Sequence, residues 1–433
     1  MLETFADPYV GLVSQEYEKL NDLDDVRGFS FGSHATDSLH LLGARGNAYN
    51  GGGARSRLAA RLASIGETVE RYSAAYLPTI SDDLFKDSQA SVVGKGGEVW
   101  TPETLGLFAP EQYDSPGFKY KRLPQNTDIV WRRGANLSTG TEVLVPAQFL
   151  YFVPDWPGEP VLGYATSNGL ACGIQDVEAC LSGLFEAVER DAFMIAWYNR
   201  LSMPLIDIES SPILSALVNR HVETTGLKLE LIDMSAFCGL PAVVAIVRNP
   251  NTSVAPFAIG ASCAATIERA AEKAMFEGLH TRAWIKSEQR ADNVLFSDDW
   301  TRDINSFEDH VKLYANPEFT HHADFLDASD KRTRVEDIPR FDDSDPEILW
   351  ETLVSHLTNR GLEVGVFDMT SPDVREGGAS VMRVLIKGLM QLDAPYGGRM
   401  YGGGRVLKHA HDLGISTKVL AREELNSIPH PFP

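Results

Sequence analysis

The chain has 433 residues, 43% hydrophobic and 23% charged, with a formal net charge of −21 at pH 7. This is globular composition with room for one large domain or two to three closely packed ones, and its acidity argues against nucleic acid or an anionic membrane as partner. No apolar run approaches the ~18 residues of a membrane span, and the opening MLETFADPYV has neither the basic start nor the apolar core of a signal peptide.

In chain order, the first 55 residues are mixed and Gly-rich, ending in AYNGGGARS. From Ser56 to about Tyr76 the pattern turns helical, with Leu58, Leu62, Ile65 and Val69 on one stripe. DIVWRRGANLSTGTEVLVPAQFLYF alternates around Ser138-Thr139-Gly140 and predicts a hairpin. A Gly-containing strand end and a turn then lead into a long helix from about Asp176 to Asn199. Strands follow at KLELIDMS and PAVVAIVRN, and PFAIGASCAATIERAAEKAMFEGLHTRAWI repeats the plan of strand, small-residue turn and helix. Residues 288–346 are polar and acidic and predict a surface insertion. A helix at PEILWETLVSHLTNRG and strands at EVGVFDMT and SVMRVLIKG lead to APYGGRMYGGGRV and a Pro-rich tail, 425–433. Long helices alternate with strands and hairpin-like pairs, which is an α+β class with mixed sheets. No linker separates independent domains, so 1–433 reads as one domain of closely packed parts. Cys172, Cys180, Cys238 and Cys263 all lie in apolar stretches, none in C-x-x-C, and read as buried thiols of a reducing cytoplasm.

One motif occurs twice. Ile65–Tyr72 contains Glu67, Glu70 and Arg71, and the Asp176 helix contains Glu186, Glu189 and Arg190, each as E-x-x-E-R. Roughly a tenth of one match is expected by chance at average composition. On a helix the two carboxylates and the arginine share a face. The plain explanation is i,i+4 surface pairing, worth about 0.2–0.5 kcal/mol per pair. The flanks oppose it: Ile65, Val69, Leu184, Phe185, Val188 and Phe193 leave little polar face to hold the charges. Buried carboxylates cost several kcal/mol each without compensation. Mg2+ takes hard oxygen ligands and bridges carboxylate to phosphate, and arginine forks fit phosphate oxygens. Two such helices facing each other would cradle Mg-nucleotide, without the G-x-x-x-x-G-K-[ST] loop that this chain lacks.

These stretches, IGETVERYSAAY and SNGLACGIQDVEACLSGLFEAVERDAF, with IERAAEKAMFEGLHTR and FEDHVKLYANPE, resemble the YcaO family of ATP-dependent peptide-backbone-activating enzymes. Within it they are most similar to the stand-alone cyclodehydratases of streptolysin-type clusters. The resemblance implies a YcaO-like fold with long helices around a central Mg-ATP site. It assigns Glu67, Glu70, Glu186 and Glu189 to metal, and Ser64, Glu67, Arg71, Glu178, Arg190, Glu277 and Arg282 to ATP. It departs from the family pattern at Ala63, Ala171, Ile174 and His280. PHPFP places Pro429, Pro431 and Pro433 in the P-x-P-x-P pattern of azoline-forming members, an extended rod of low entropy cost. The terminal carboxylate of Pro433 and the His280 imidazole are the two candidates for moving the substrate proton.

The activity so implied is ATP-dependent cyclodehydration of Cys, Ser or Thr in a ribosomally made precursor peptide, to thiazolines and oxazolines. The implied partners are that peptide and a leader-binding protein, E1-like (ThiF-like) or a recognition-element protein. The resemblance also leaves room for a flavin-dependent azoline dehydrogenase and a homodimer. The alternatives are thioamide or macroamidine formation, carboxylate–amine ligation, and a nucleotide-binding scaffold without chemistry.

Overall fold

A computed structural model of the chain describes residues 2–25, 27–39, 47–78, 83–153, 155–291, 296–297 and 299–432. Along it, β1 (Val13–Lys19), β2 (Phe29–Ala35) and β3 (Tyr49–Ala54) lead into helix α1 (Arg57–Ala75). β4 (Leu84–Ser88), β5 (Glu98–Val99), β6 (Asp128–Asn136), β7 (Thr141–Pro146) and β8 (Leu170–Gly173) precede helix α2 (Asp176–Tyr198). β9 (Leu205–Asp207), β10 (Lys228–Asp233), β11 (Ala242–Arg248) and β12 (Phe257–Cys263) lead to helix α3 (Ile267–Ala291). Then come α4 (Phe307–Ala315), β13 (Arg332–Arg334), α5 (Pro346–Thr358), β14 (Glu363–Asp368) and β15 (Ser380–Lys387).

The strands make three sheets: β1-β2-β3; β12-β11-β10-β9-β13; and β5-β7-β6-β14-β15-β8, with β4 added on β6. The expected hairpin is β6–β7, whose Asn136 pairs with Thr141 across Gly140 at φ 71°, a left-handed turn position that suits glycine. α1 and α2 begin within a residue of the starts read from the sequence. Ser56 Oγ accepts the Ala59 N–H at 3.2 Å to cap α1, and Ile65, Val69 and Tyr72 form its buried stripe while Leu58 stays exposed.

Three helices meet because they share strands. β3 touches α1 and α3, β8 touches α1 and α2, and β12 touches α2 and α3. α2 runs between two sheets, against β15 on one side and β12 and β11 on the other, and is buried on nearly every face. Its Asp191, fully buried, is satisfied by Arg405 (2.7 and 2.8 Å) and the Met390 N–H (2.9 Å), which fixes the helix against the loop beyond β15.

The acidic stretch 288–346, expected as a surface insertion, is anchored in the fold along part of its described length. α4 buries Val311, Leu313 and Tyr314, and β13 extends the five-stranded sheet as the parallel neighbour of β9. Acidic composition hid an ordinary i,i+3 apolar stripe. Residues 292–295 and 298 of that stretch lie outside the described residues. Cys180, Cys238 and Cys263 are buried free thiols as expected, and Cys172 is half-buried.

Candidate active site

The recess enclosed by α1, α2 and α3 gathers five carboxylates. Glu67 and Glu70 come from α1, Glu186 and Glu189 from α2, and Glu277 from α3. Strand backbone orients three of them, the pair of α1 and the one of α3. Glu67 accepts the Gly51 N–H of β3 (2.8 Å), Glu70 the Cys172 N–H of β8 (2.9 Å), and Glu277 the Ala261 N–H of β12 (2.8 Å). Each bond commits one oxygen and holds the rotamer, so that the other oxygen is aimed rather than free to wander. The arginine of each motif lies beside its own acids. Arg71 Nη2 is 3.4 Å from Glu67, and Arg190 Nε is 3.5 Å from Glu186 and 3.3 Å from Glu189. The Glu189 side chain is 10% exposed and that of Glu67 31%, so the acids line a recess that still opens to solvent.

So many like charges out of water disturb one another. Burial, with Glu186 and Glu67 nearby, pushes the Glu70 carboxyl up to about 8 against an ordinary 4.5. Burial raises Glu186, Glu189 and Glu277 as well, against the pull of Arg190 on all three. Without a cation Glu70 therefore holds its proton at neutral pH. Several buried atoms here have no hydrogen-bond partner among the described residues: Ser64 Oγ, Arg71 Nε, Glu189 Oε1, Arg190 Nη1, and Nε and Nη2 of Arg383. Buried polar groups are normally satisfied, and orphans gathered in one recess call for a polyanion with hard cations.

Of the sequence-predicted residues, Ser64, Glu67, Glu70, Arg71, Glu186, Glu189, Arg190 and Glu277 come together. His280 stands one turn after Glu277, with Nδ1 3.4 Å from Ser30 Oγ and its ring against Gly51. Burial takes its pKa down to about 3, so it is neutral at pH 7. Two residues do not join. Glu178 is exposed at the first turn of α2, where its carboxylate accepts the backbone N–H groups of Ile174 (3.1 Å) and Gln175 (3.2 Å) as a helix cap. Arg282 is buried under Asp24 (2.6 Å) and Asp25, beside Lys286, and clamps residues 22–25 to α3. Pro433 lies outside the described residues; the tail is described to Phe432, whose ring packs 4.3 Å from the Arg190 guanidinium. Replacing Glu178 by Ala should lower stability by about 1 kcal/mol, the worth of a cap. Melting and nucleotide titration check this: loss of nucleotide affinity instead would return Glu178 to the recess.

Sequence reasoning missed two cations. Lys19, at the end of β1, is half-buried within the field of Glu67. Arg383, fully buried in β15, donates to the Phe149 carbonyl (3.1 Å), faces Glu186, and has its pKa lowered by burial to about 9. Its signal was legible: one charge inside the apolar run SVMRVLIK. Lys19 had none.

Acidic helices closing on such a recess define a class of Mg-nucleotide-binding proteins that works without a glycine-rich phosphate loop. This chain belongs to the YcaO family: the family model described as YcaO cyclodehydratase, ATP- and Mg2+-binding, matches residues 50–390. Its cofactors are ATP and Mg2+, and the orphaned donors and paired carboxylates fit both. A heterocyclase solved in complex with substrate and cofactor shares the fold at a TM-score of 0.82 and 20% identity, over 100% of this chain and 56% of that one. The heterocyclase TruD follows at 0.67 and 25% identity, over 86% of this chain and 50% of that one. YcaO from Methanopyrus kandleri, bound with AMPPCP and Mg2+, matches at 0.62 and 20% identity, over 88% and 86%. A curated relative, an uncharacterized protein of Methanothermobacter thermautotrophicus, is 29% identical over 204 residues, 46% of this chain and 47% of its own. The chain thus spans at most about half the length of the curated relatives it matches.

Proposed function

We propose that the protein is an ATP-dependent cyclodehydratase that converts Cys, Ser or Thr residues of a ribosomally made peptide into azolines. The observation that carries this reading is the convergence of Glu67, Glu70, Glu186, Glu189 and Glu277 with Arg71 and Arg190 in one recess, with the Pro-rich tail packed against it at Phe432.

Bound there, Mg-ATP supplies the γ-phosphoryl group that turns the peptide's amide oxygen into a phosphate leaving group. The rest falls to the chain's own residues. The glutamates hold the cation, and Arg71, Arg190 and Arg383 offer donors where charge gathers on the transferred group. Burial of those donors strengthens each contact and keeps water from competing with the peptide side chain. His280, neutral and a weak base, suits hydrogen bonding to ligand more than proton removal. The proton of the attacking side chain is then assigned to the carboxylate at the end of the tail. The tail's rigid approach supports this: the Ile428, Pro429 and His430 carbonyls accept bonds from Trp197 (3.0 Å), Tyr314 (2.9 Å) and His310 (2.7 Å). A second protein that captures the peptide's leader completes the proposal.

The test combines the protein, candidate precursor, leader-binding partner and Mg-ATP, and weighs the peptide. Loss of one water per modified residue, dependent on ATP, is expected. Exchange of oxygen for sulfur would replace the reading by thioamide formation, and ATP hydrolysis with no change in peptide mass would overturn it.

A further inference from the structure

A cleft lies outside the carboxylate recess. It measures about 530 Å³, within the range of small-ligand sites, and is walled by the helix Pro110–Tyr113, by Arg399 and Tyr401, and by Leu425 and Ser427 at the start of the tail. Its centrepiece is Arg399. The guanidinium stacks 4.2 Å from the Tyr396 ring and 5.0 Å from the Tyr401 ring, which fixes its plane. It makes no ion pair or side-chain hydrogen bond among the described residues. Neighbouring charges are otherwise engaged. Arg422 donates to the carbonyls of Tyr401 and Gly402 and lies 3.6 Å from Glu111. Asp393 accepts the Tyr198 hydroxyl (2.7 Å) and the Met400 N–H (2.9 Å), and acts on Arg399 only from a distance. Glu423, also on the cleft wall, is exposed and screened by water. A preset, half-buried guanidinium with its fork unspent is a carboxylate receptor.

The tail ties this cleft to the chemistry. Ser427, whose carbonyl accepts the Tyr396 hydroxyl (2.8 Å), forms part of the cleft wall, and Phe432, five residues on, packs under Arg190. Five residues extend at most about 17 Å. The cleft wall at Ser427 and Arg190 of the recess are thus joined by five residues of chain, and a peptide with its reacting residue in the recess would need about as many to reach the cleft. Resting on the peptide-modifying reading above, we infer that the cleft is a peptide subsite in which Arg399 binds the carboxylate of an Asp or Glu about five positions from the residue that is cyclised. On a chain of net charge −21 such a contact is local attraction against general repulsion, so it discriminates among peptides rather than merely retaining them.

The probe is a pair of fluorescein-labelled Gly/Ala peptides, each with a single Cys and with Asp or Asn five positions away, made with the acid on either side. Fluorescence anisotropy with the full chain is expected to show the Asp peptide of one orientation binding about tenfold tighter than its Asn twin. Arg399→Gln should bring the ratio close to one. Ser115→Glu, an exposed change in the same cleft wall that leaves the core alone, should bring it to one or below. A fluorescent ATP analogue should bind both variants as it binds the parent. Equal binding of the twins by the parent protein, or an unchanged ratio in Arg399→Gln and Ser115→Glu, would overturn the subsite. So would loss of ATP-analogue binding in Arg399→Gln, because the arginine would then serve nucleotide. Binding is read without ATP or turnover, so absence of water loss would sink the proposed reaction alone, and a flat ratio the subsite alone.

Discussion

Replacing Glu70 by Gln is expected to cut Mg2+-dependent turnover about a thousandfold, some 4 kcal/mol of barrier, while leaving the metal-free fold as stable as the parent or more so. The two halves of this outcome have one cause. Glu70 sits in the field of Glu67 and Glu186, and its own arginine neighbour does not keep it ionised at neutral pH. A neutral amide of the same shape still accepts the Cys172 N–H, and it removes a charge whose ionisation is disfavoured. What it loses is a hard anionic ligand for the cation. Glu189→Gln should act in the same direction, since Glu189 Oε1 has Arg190 at 3.3 Å but no hydrogen bond. Calorimetric Mg2+ titration, melting without metal and peptide mass together decide it. If the glutamates served only as helix salt bridges, melting temperatures would fall and metal response would not change.

The pH dependence should be inverted by the metal. Glu70, Glu186, Glu189 and Glu277 all have carboxyl groups raised above the ordinary range by burial, to which neighbouring glutamates add at Glu70, Glu189 and Glu277. A group that holds its proton more tightly when folded contributes stability below its unfolded value of 4.5. That stability is lost as pH rises through the folded value, about 8 for Glu70. Between about pH 5.5 and 8 the metal-free protein should therefore lose on the order of a few kcal/mol. Mg2+ and ATP bind the ionised form, so the stabilisation they add should grow over the same window. Melting at a series of pH values, with and without Mg-ATP, checks both slopes. A metal-free stability that climbs from pH 5.5 to 8 would show that these acids are ionised in the empty recess.

Much of the site was legible because helices advertise their faces. α1 and α2 carry their acids among Ile65, Val69, Leu184 and Val188, and charges set into apolar stripes are hard to explain as surface. Their boundaries, Arg57–Ala75 and Asp176–Tyr198, lie within a residue of those the apolar pattern predicts. Where the structure places residues otherwise than the sequence suggests, the causes are equally local. Glu178 stands where a capping carboxylate and a site carboxylate look alike, and only the position of the helix start separates them. Arg282 was claimed by Asp24 and Asp25, more than 250 residues earlier, a pairing that no periodicity could disclose. The N-terminal sheet escaped because β3 reads Tyr-Asn-Gly-Gly-Gly-Ala, poor strand former by composition. The stretch after residue 288 looked solvated because its acids outnumber the few apolar side chains that anchor it.

That glycine strand sets a dimension of the carboxylate recess. A β-carbon at Gly52 would come within 2.6 Å of the Ala60 carbonyl on α1, and one at Gly53 within 2.9 Å of the Phe276 carbonyl on α3. β3 thus works as a shim of minimum thickness between two of the acidic helices. A single added methyl group would widen the gauge, and carboxylates spaced to grip one small, strictly octahedral ion would be left gripping at the wrong span.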